Sequence, residues 1–123
     1  MLIGDVVRWH GHKTPQKEAI RWDDNTMTYG ELLTRVNRVA NAMSAIGNKG
    51  DRVGILAENL SAYVECYYGV PDAGMALNFL NYRLHPKEWT WILNNAEANI
   101  LVLQEKFLEA RVEGNVVKLV RRF

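Results

Sequence analysis

An α/β fold, with a layered and mostly parallel sheet between flanking helices, is predicted by three observations. Stretches with apolar residues at helical spacing alternate with short all-apolar runs. Turn residues separate almost every pair. No linker, repeat or low-complexity segment divides the 123 residues, whose nine glycines and three prolines are scattered. Helix, strand, helix, strand, helix, strand is the order that parallel strands and crossover helices satisfy.

Each element has its own local reason. Glu18 to Trp22 alternates weakly and meets Asp23-Asp24-Asn25, whose short side chains bond their own backbone and tolerate left-handed angles; with Met27-Thr28-Tyr29 this predicts a small hairpin near residues 18–29. Thr28-Tyr29-Gly30-Glu31 has the capping-box form, and Met27 with Leu32 supplies a hydrophobic staple. Leu32, Val36, Val39, Ala40, Met43 and Ile46 then fall on one helical stripe, and Gly47 stands where a left-handed stop is expected. Val53-Gly54-Ile55-Leu56-Ala57 reads as a strand buried on both faces. Asn59 or Ser61 caps the next helix, through Tyr63, Val64, Tyr67 and Tyr68, and Pro71 is expected to end or kink it. Met75 to Leu80 is a second buried strand. His85-Pro86 opens a third helix, with proline at its first position, Glu88 in its first turn and Trp89, Ile92, Leu93 and Ala96 inward. Asn99 to Leu103 is a third strand. The tail, 104–123, adds a short helix from Lys106 to Arg111 and a last strand from Val116 to Val120.

Composition narrows the function. Fifteen Lys and Arg against fourteen Asp and Glu give a net charge of +1, which creates no long-range field and disfavours nucleic acid as a partner. One cysteine, Cys66, excludes an internal disulfide framework. No apolar run reaches the roughly 20 residues of a membrane span. Met1-Leu2-Ile3-Gly4-Asp5 lacks the pattern of a secretory signal. The expected compartment is the cytoplasm.

The chemical motifs are weak. There is no Gly-x-Gly turn and no Gly-x-x-x-x-Gly-Lys-Ser/Thr, and the strand ending at Ala57 runs into Glu58, an acid where phosphate needs amides. A small nucleotide-binding α/β domain is therefore disfavoured. Gly47-Asn48-Lys49-Gly50 matches an RNA-binding Gly-x-x-Gly loop, but joins a helix to a strand and reads as a turn. His10-Gly11-His12 lacks the further ligands of a zinc site and reads as a solvated loop. Cys66 has no neighbouring base and reads as a packed thiol. Asp23-Asp24 reads as a solvated turn tip. Trp89 and Trp91 stand two apart on a helix, so one faces in and the other out. The outward one hints at a neighbour outside these residues.

Taken together, Thr28-Tyr29-Gly30-Glu31-Leu32, Asn37 to Ala42, Gly50-Asp51-Arg52-Val53 and Glu58-Asn59 resemble the opening of the AMP-forming acyl-CoA synthetases, in the adenylate-forming superfamily. Tyr68-Gly69-Val70-Pro71, Ala73-Gly74 and Leu80-Asn81-Tyr82-Arg83-Leu84-His85-Pro86 resemble its fatty-acyl branch. The likeness runs from about Thr14 to Leu103 and thins after Glu105; the turn at Gly47 to Gly50 is a residue short. It implies that the second helix continues past Pro71. It also implies that residues 1–123 are a partial N-terminal domain, with α/β units over 29–103 and an indistinct tail.

Family enzymes join a carboxylate to ATP, release pyrophosphate, and pass the acyl group to CoA. The resemblance thus implies ATP, Mg²⁺ and CoA for a full-length enzyme and none for this chain. The family's phosphate loop, Thr-Glu segment, ribose aspartate and mobile-domain lysine have no matching positions. No catalytic, cofactor-binding or metal residue is therefore assigned. The implied partner is the rest of a synthetase chain or a complementary chain, and a homo-oligomer is open. The other reading is a stand-alone, non-catalytic association module.

Overall fold

The computed structural model describes residues 3–58, 61–107 and 118–121. Helix α1 (Ile3–Lys13) precedes an antiparallel hairpin, β1 (Glu18–Trp22) and β2 (Asn25–Thr28). Then come α2 (Tyr29–Ile46), β3 (Arg52–Leu56), α3 (Ser61–Asp72), β4 (Ala76–Leu80), α4 (Pro86–Asn95), β5 (Ile100–Leu103), a 3₁₀ turn (Glu105–Phe107) and β6 (Lys118–Arg121). The main sheet has the order β4-β3-β5-β6, and its three pairings are all parallel.

The strongest sequence signals become the expected elements. Asp23 takes the left-handed turn conformation at φ 49°. Thr28 caps α2, its hydroxyl accepting from the Glu31 amide at 3.2 Å. At α4, His85 caps through Nδ1, which accepts from the Lys87 amide at 3.1 Å, while the Glu88 carboxylate accepts from the His85 amide at 2.9 Å.

The sheet is covered on both faces. Val53, Ile55, Ile100 and Val102 face α2 and α3, packing with Met43, Cys66 and Val70. Leu56, Leu101 and Leu103 face α4, packing with Trp89 and Leu93. Because β3 and β5 present apolar residues to both layers, they read as unbroken apolar runs. A third cluster, Val7, Leu32, Leu33 and Val36, joins α1 and α2 to the hairpin.

Several expectations are corrected. His10-Gly11-His12 is not a loop but part of α1. Gly47 does not stop α2 in a left-handed conformation, for its φ is −140°. It is glycine because the chain passes so close to Ile100 and Met75 that a Cβ would lie 2.8 and 2.9 Å from their tips. Among the described glycines, the positive φ values fall instead at Gly50 (91°) and Gly74 (79°), which precede β3 and β4. Strand β4 is an edge, not a strand buried on both faces, and only Leu80 within it is fully covered. Pro71 lies inside α3 yet only one residue from its end. There its missing amide and ring disturb one turn at most, and Asp72 completes the helix. The expected helix from Lys106 to Arg111 begins as a single 3₁₀ turn, and its remainder lies outside the described residues, as does the cap candidate Asn59.

Candidate functional site

In an open parallel sheet, ligands favour the carboxyl ends of the strands, where neighbouring connections leave in opposite directions. Here β4 and β5 lie on opposite sides of β3, so that point is the crevice between the ends of β3 and β5. The chain fills it with its own polar groups. The Glu58 amide donates to the Gln104 side-chain oxygen at 3.0 Å, and the Gln104 amide donates to the Leu56 carbonyl at 2.9 Å. The Lys106 ammonium pairs with the Glu58 carboxylate.

Beside the crevice, a cleft of about 440 Å³ is lined by Ala57, Tyr63, Phe79, Asn81, Tyr82 and Arg83, among others. One wall is aromatic. Phe79 stacks on Tyr63 at 5.4 Å and on Tyr67 at 5.7 Å between ring centres. Burial, helped by nearby Cys66, raises the Tyr63 phenol above its ordinary value. The floor is held by Asn81, whose side chain accepts from the Arg83 amide at 3.0 Å and whose carbonyl accepts from the Trp89 indole at 2.8 Å. The Arg83 guanidinium sits 5.5 Å from the Tyr82 ring centre, a cation–π pair. This cleft can hold a flat apolar group with an acceptor turned toward Arg83. Among the described residues that line it there is one cation and no carboxylate, a set that does not fit a magnesium-bound triphosphate, which requires oxygen ligands for the metal and several donors for the phosphates.

The residues singled out from the sequence are dispersed. The His10 ring stacks on Tyr29 at 4.8 Å, and no group of three His, Cys, Asp or Glu side chains suited to a metal occurs among the described residues. Cys66 is buried, and burial, reinforced by the neighbouring Glu65, pushes its thiol up to about 12. That is the opposite of an activated nucleophile. Asp23 and Asp24 are exposed at the hairpin tip. In the turn after α2, the Asn48 amide donates to the Asp51 carboxylate at 2.8 Å, as a structural turn does. Trp89 faces in and Trp91 is 67% exposed. Sequence reasoning missed the Tyr63–Phe79–Tyr67 stack. Its only local signal was an aromatic helix start facing an aromatic strand end, with partners up to 16 positions apart.

Comparison with known proteins gives these features a context. Residues 7–122 match the AMP-binding enzyme family. The crotonobetaine/carnitine–CoA ligase of Escherichia coli is 34% identical over 105 residues, covering 84% of this chain and 20% of that protein. The 3-methylmercaptopropionyl-CoA ligase of Ruegeria lacuscaerulensis is 32% identical over 112 residues, covering 87% and 20%. Among solved structures, the inhibitor-bound N-terminal domain of FACL13 from Mycobacterium tuberculosis superposes with a TM-score of 0.89 at 25% identity, covering 98% of this chain and 33% of that one. The chain thus spans about a fifth of the length of these curated relatives. With sequence and backbone agreeing over nearly all of its residues, the chain belongs to the AMP-binding enzyme family.

Proposed function

We propose that this chain forms the opening part of the N-terminal domain of an AMP-forming acyl-CoA synthetase, and that it supplies scaffold to the site rather than reacting groups. The observation that carries the reading is the superposition of 98% of the chain on one third of an N-terminal domain. The whole enzyme would activate a fatty carboxylate with ATP to give an acyl adenylate and pyrophosphate. It would then transfer the acyl group to the CoA thiol and release AMP. Residues 1–123 form a partial domain in this reading, with a hairpin near 18–29, α/β units over 29–103 and a tail over 104–123. Its partner is the remaining portion of a synthetase, and its compartment the cytoplasm.

What these residues do in such an enzyme is mechanical. Strands β3 and β5, packed on both faces, fix the crevice; the Glu58–Gln104–Lys106 contacts hold its two lips together. Chemistry at phosphorus would come from groups outside this chain. ATP–pyrophosphate exchange with a panel of fatty acids tests the division of labour. The chain alone is expected to give only background exchange, and turnover above that level overturns the scaffold reading.

A further inference from the structure

Helix α1 is seated on the rest of the chain by very little. Val7 is its one fully buried side chain, packed on Leu32, Leu33 and Val36. Its other buried residues, Gly4 and Gly11, bring no side chain to the seat. They let α1 lie close, since a Cβ on Gly11 would stand 2.7 Å from Cδ2 of Leu33. Strand β3, by contrast, buries Val53, Ile55 and Leu56 completely. The helicity of α1 also depends on its docking. Its 11 residues fall short of the roughly 12–15 that an isolated helix needs, and each glycine weakens it further. Leaving the seat therefore also unwinds it.

Polar contacts supply the rest of the grip. The Arg8 guanidinium donates to Asp72, the last residue of α3, and to Asp5 within α1. Asp72, and then Asp5, raise the Arg8 guanidinium above its ordinary value. The Arg8 side chain is 36% exposed, so water loosens this hold. His10 stacks on Tyr29. The chain that follows α1 is tied down separately. The Gly30 amide donates to the Pro15 carbonyl at 3.0 Å, and the Tyr29 amide to the Lys17 carbonyl at 2.9 Å. Neither bond uses a residue of α1, so residues 15–17 can stay on the start of α2 while α1 leaves.

We propose that α1 is a detachable strap, seated by Val7 and latched by Arg8 on Asp72, that opens as one unit about Thr14 while the sheet stays folded. Opening uncovers Leu32, Leu33 and Val36, the apolar residues on which Val7 packs. Elements with so few buried contacts open at a free energy well below that of global unfolding. The strap is independent of the synthetase reading, because every contact that holds it lies within this chain.

Amide hydrogen exchange of the whole chain at increasing urea, followed by NMR, reads the opening directly. The amides of Val7 to Lys13, which lie beyond the unbonded first turn, are expected to share one protection factor. It should lie at least about a hundredfold below those of β3 and β5. Its urea dependence should be the shallower, because a strap exposes less surface on opening than the sheet does on unfolding. Protection that falls off steadily toward one end of α1 is fraying, and overturns the proposal. So does protection equal to that of the sheet. Arg8→Met keeps the helix propensity and removes the latch. It should speed exchange in α1 about tenfold, and an unchanged rate overturns the latch. Val7→Asp puts a charge into the seat. It is expected to abolish protection in α1 while β3 and β5 stay protected and the urea transition stays cooperative. A Val7→Asp chain that unfolds altogether overturns the proposal, because α1 is then part of one cooperative unit with the sheet.

Discussion

Gly54 sits at the centre of the sheet, in register with Asn78 of β4 and Leu101 of β5. A Cβ built there would lie 2.3 Å from Cδ2 of Leu93, the fully buried residue at the heart of α4. Carbon atoms pack at about 3.5–4.0 Å, so Gly54→Ala requires Leu93 to retreat by more than about 1 Å into a filled layer. Overpacking of this kind costs about 1–3 kcal/mol, and a clash this short belongs at the upper end. Against it stands the lower chain entropy of alanine, worth about 0.5–1 kcal/mol in a strand. The clash wins, leaving a net loss of about 2 kcal/mol. For 123 residues the unfolding entropy is about 0.26 kcal/mol/K, so Tm should fall by about 8 °C. Leu93→Ala alone should cost about 2–5 kcal/mol by opening a cavity. In the double variant the new methyl enters that cavity, so the combined loss should fall short of the sum by about 1 kcal/mol or more. Thermal and urea unfolding of the four proteins measures the cycle. A Gly54→Ala protein within about 0.5 kcal/mol of the parent, or strict additivity, would refute the claim that α4 sits on the sheet through this glycine.

Three further outcomes test the interior. With its thiol pushed up to about 12 against an ordinary 9.0, native Cys66 should react with a disulfide reagent at pH 8 about a thousandfold more slowly than the unfolded chain; comparable rates would show that α3 opens readily. The unfolded thiol loses its proton near 9 while the folded one keeps it until about 12. This group's contribution is therefore full below pH 9 and declines from there toward pH 12, which pH-dependent urea midpoints would reveal. Arg35→Ala strips the Arg35 partner from the Glu65 carboxylate, whose side chain is 4% exposed against 51% for Arg35. The expected loss is about 2 kcal/mol, less than for a fully buried pair because water reaches the arginine side. A urea-measured loss under about 0.5 kcal/mol would show that water replaces the guanidinium.

The elements that were legible in the sequence are those whose signals are local. The Thr28 cap, the aspartates of the hairpin tip and the His85-Pro86 opening act within three or four residues, and each forms. What was not legible depends on distant partners. Helix α1 escaped because its inner face is glycine and a single valine, so no apolar stripe points at the core. Gly47 looked like a left-handed stop, whereas its need for glycine comes from Ile100, 53 positions away. Strand β4 is apolar enough to read as central, but position in a sheet is set by topology and not by its own residues. Of the candidate site, the acid at Glu58 was visible as a mismatch with phosphate. The pairing that uses it, with Gln104 and Lys106, lies 46 and 48 positions on and could not be read.

That pairing also bears on whether a phosphate could sit at the end of β3. A phosphate at the end of β3 would need free amides and an uncompensated cation. The Glu58 amide is already bonded to Gln104, and Lys106 is neutralised by the Glu58 carboxylate. Admitting a polyphosphate would bring like charge against Glu58 and disturb both contacts. The same contacts brace the two lips. The crevice is therefore suited to holding the β3 and β5 ends in fixed relation. An Lys106→Met chain would separate these roles. Bracing predicts a lower unfolding midpoint, whereas a free anion-binding lysine predicts an unchanged one.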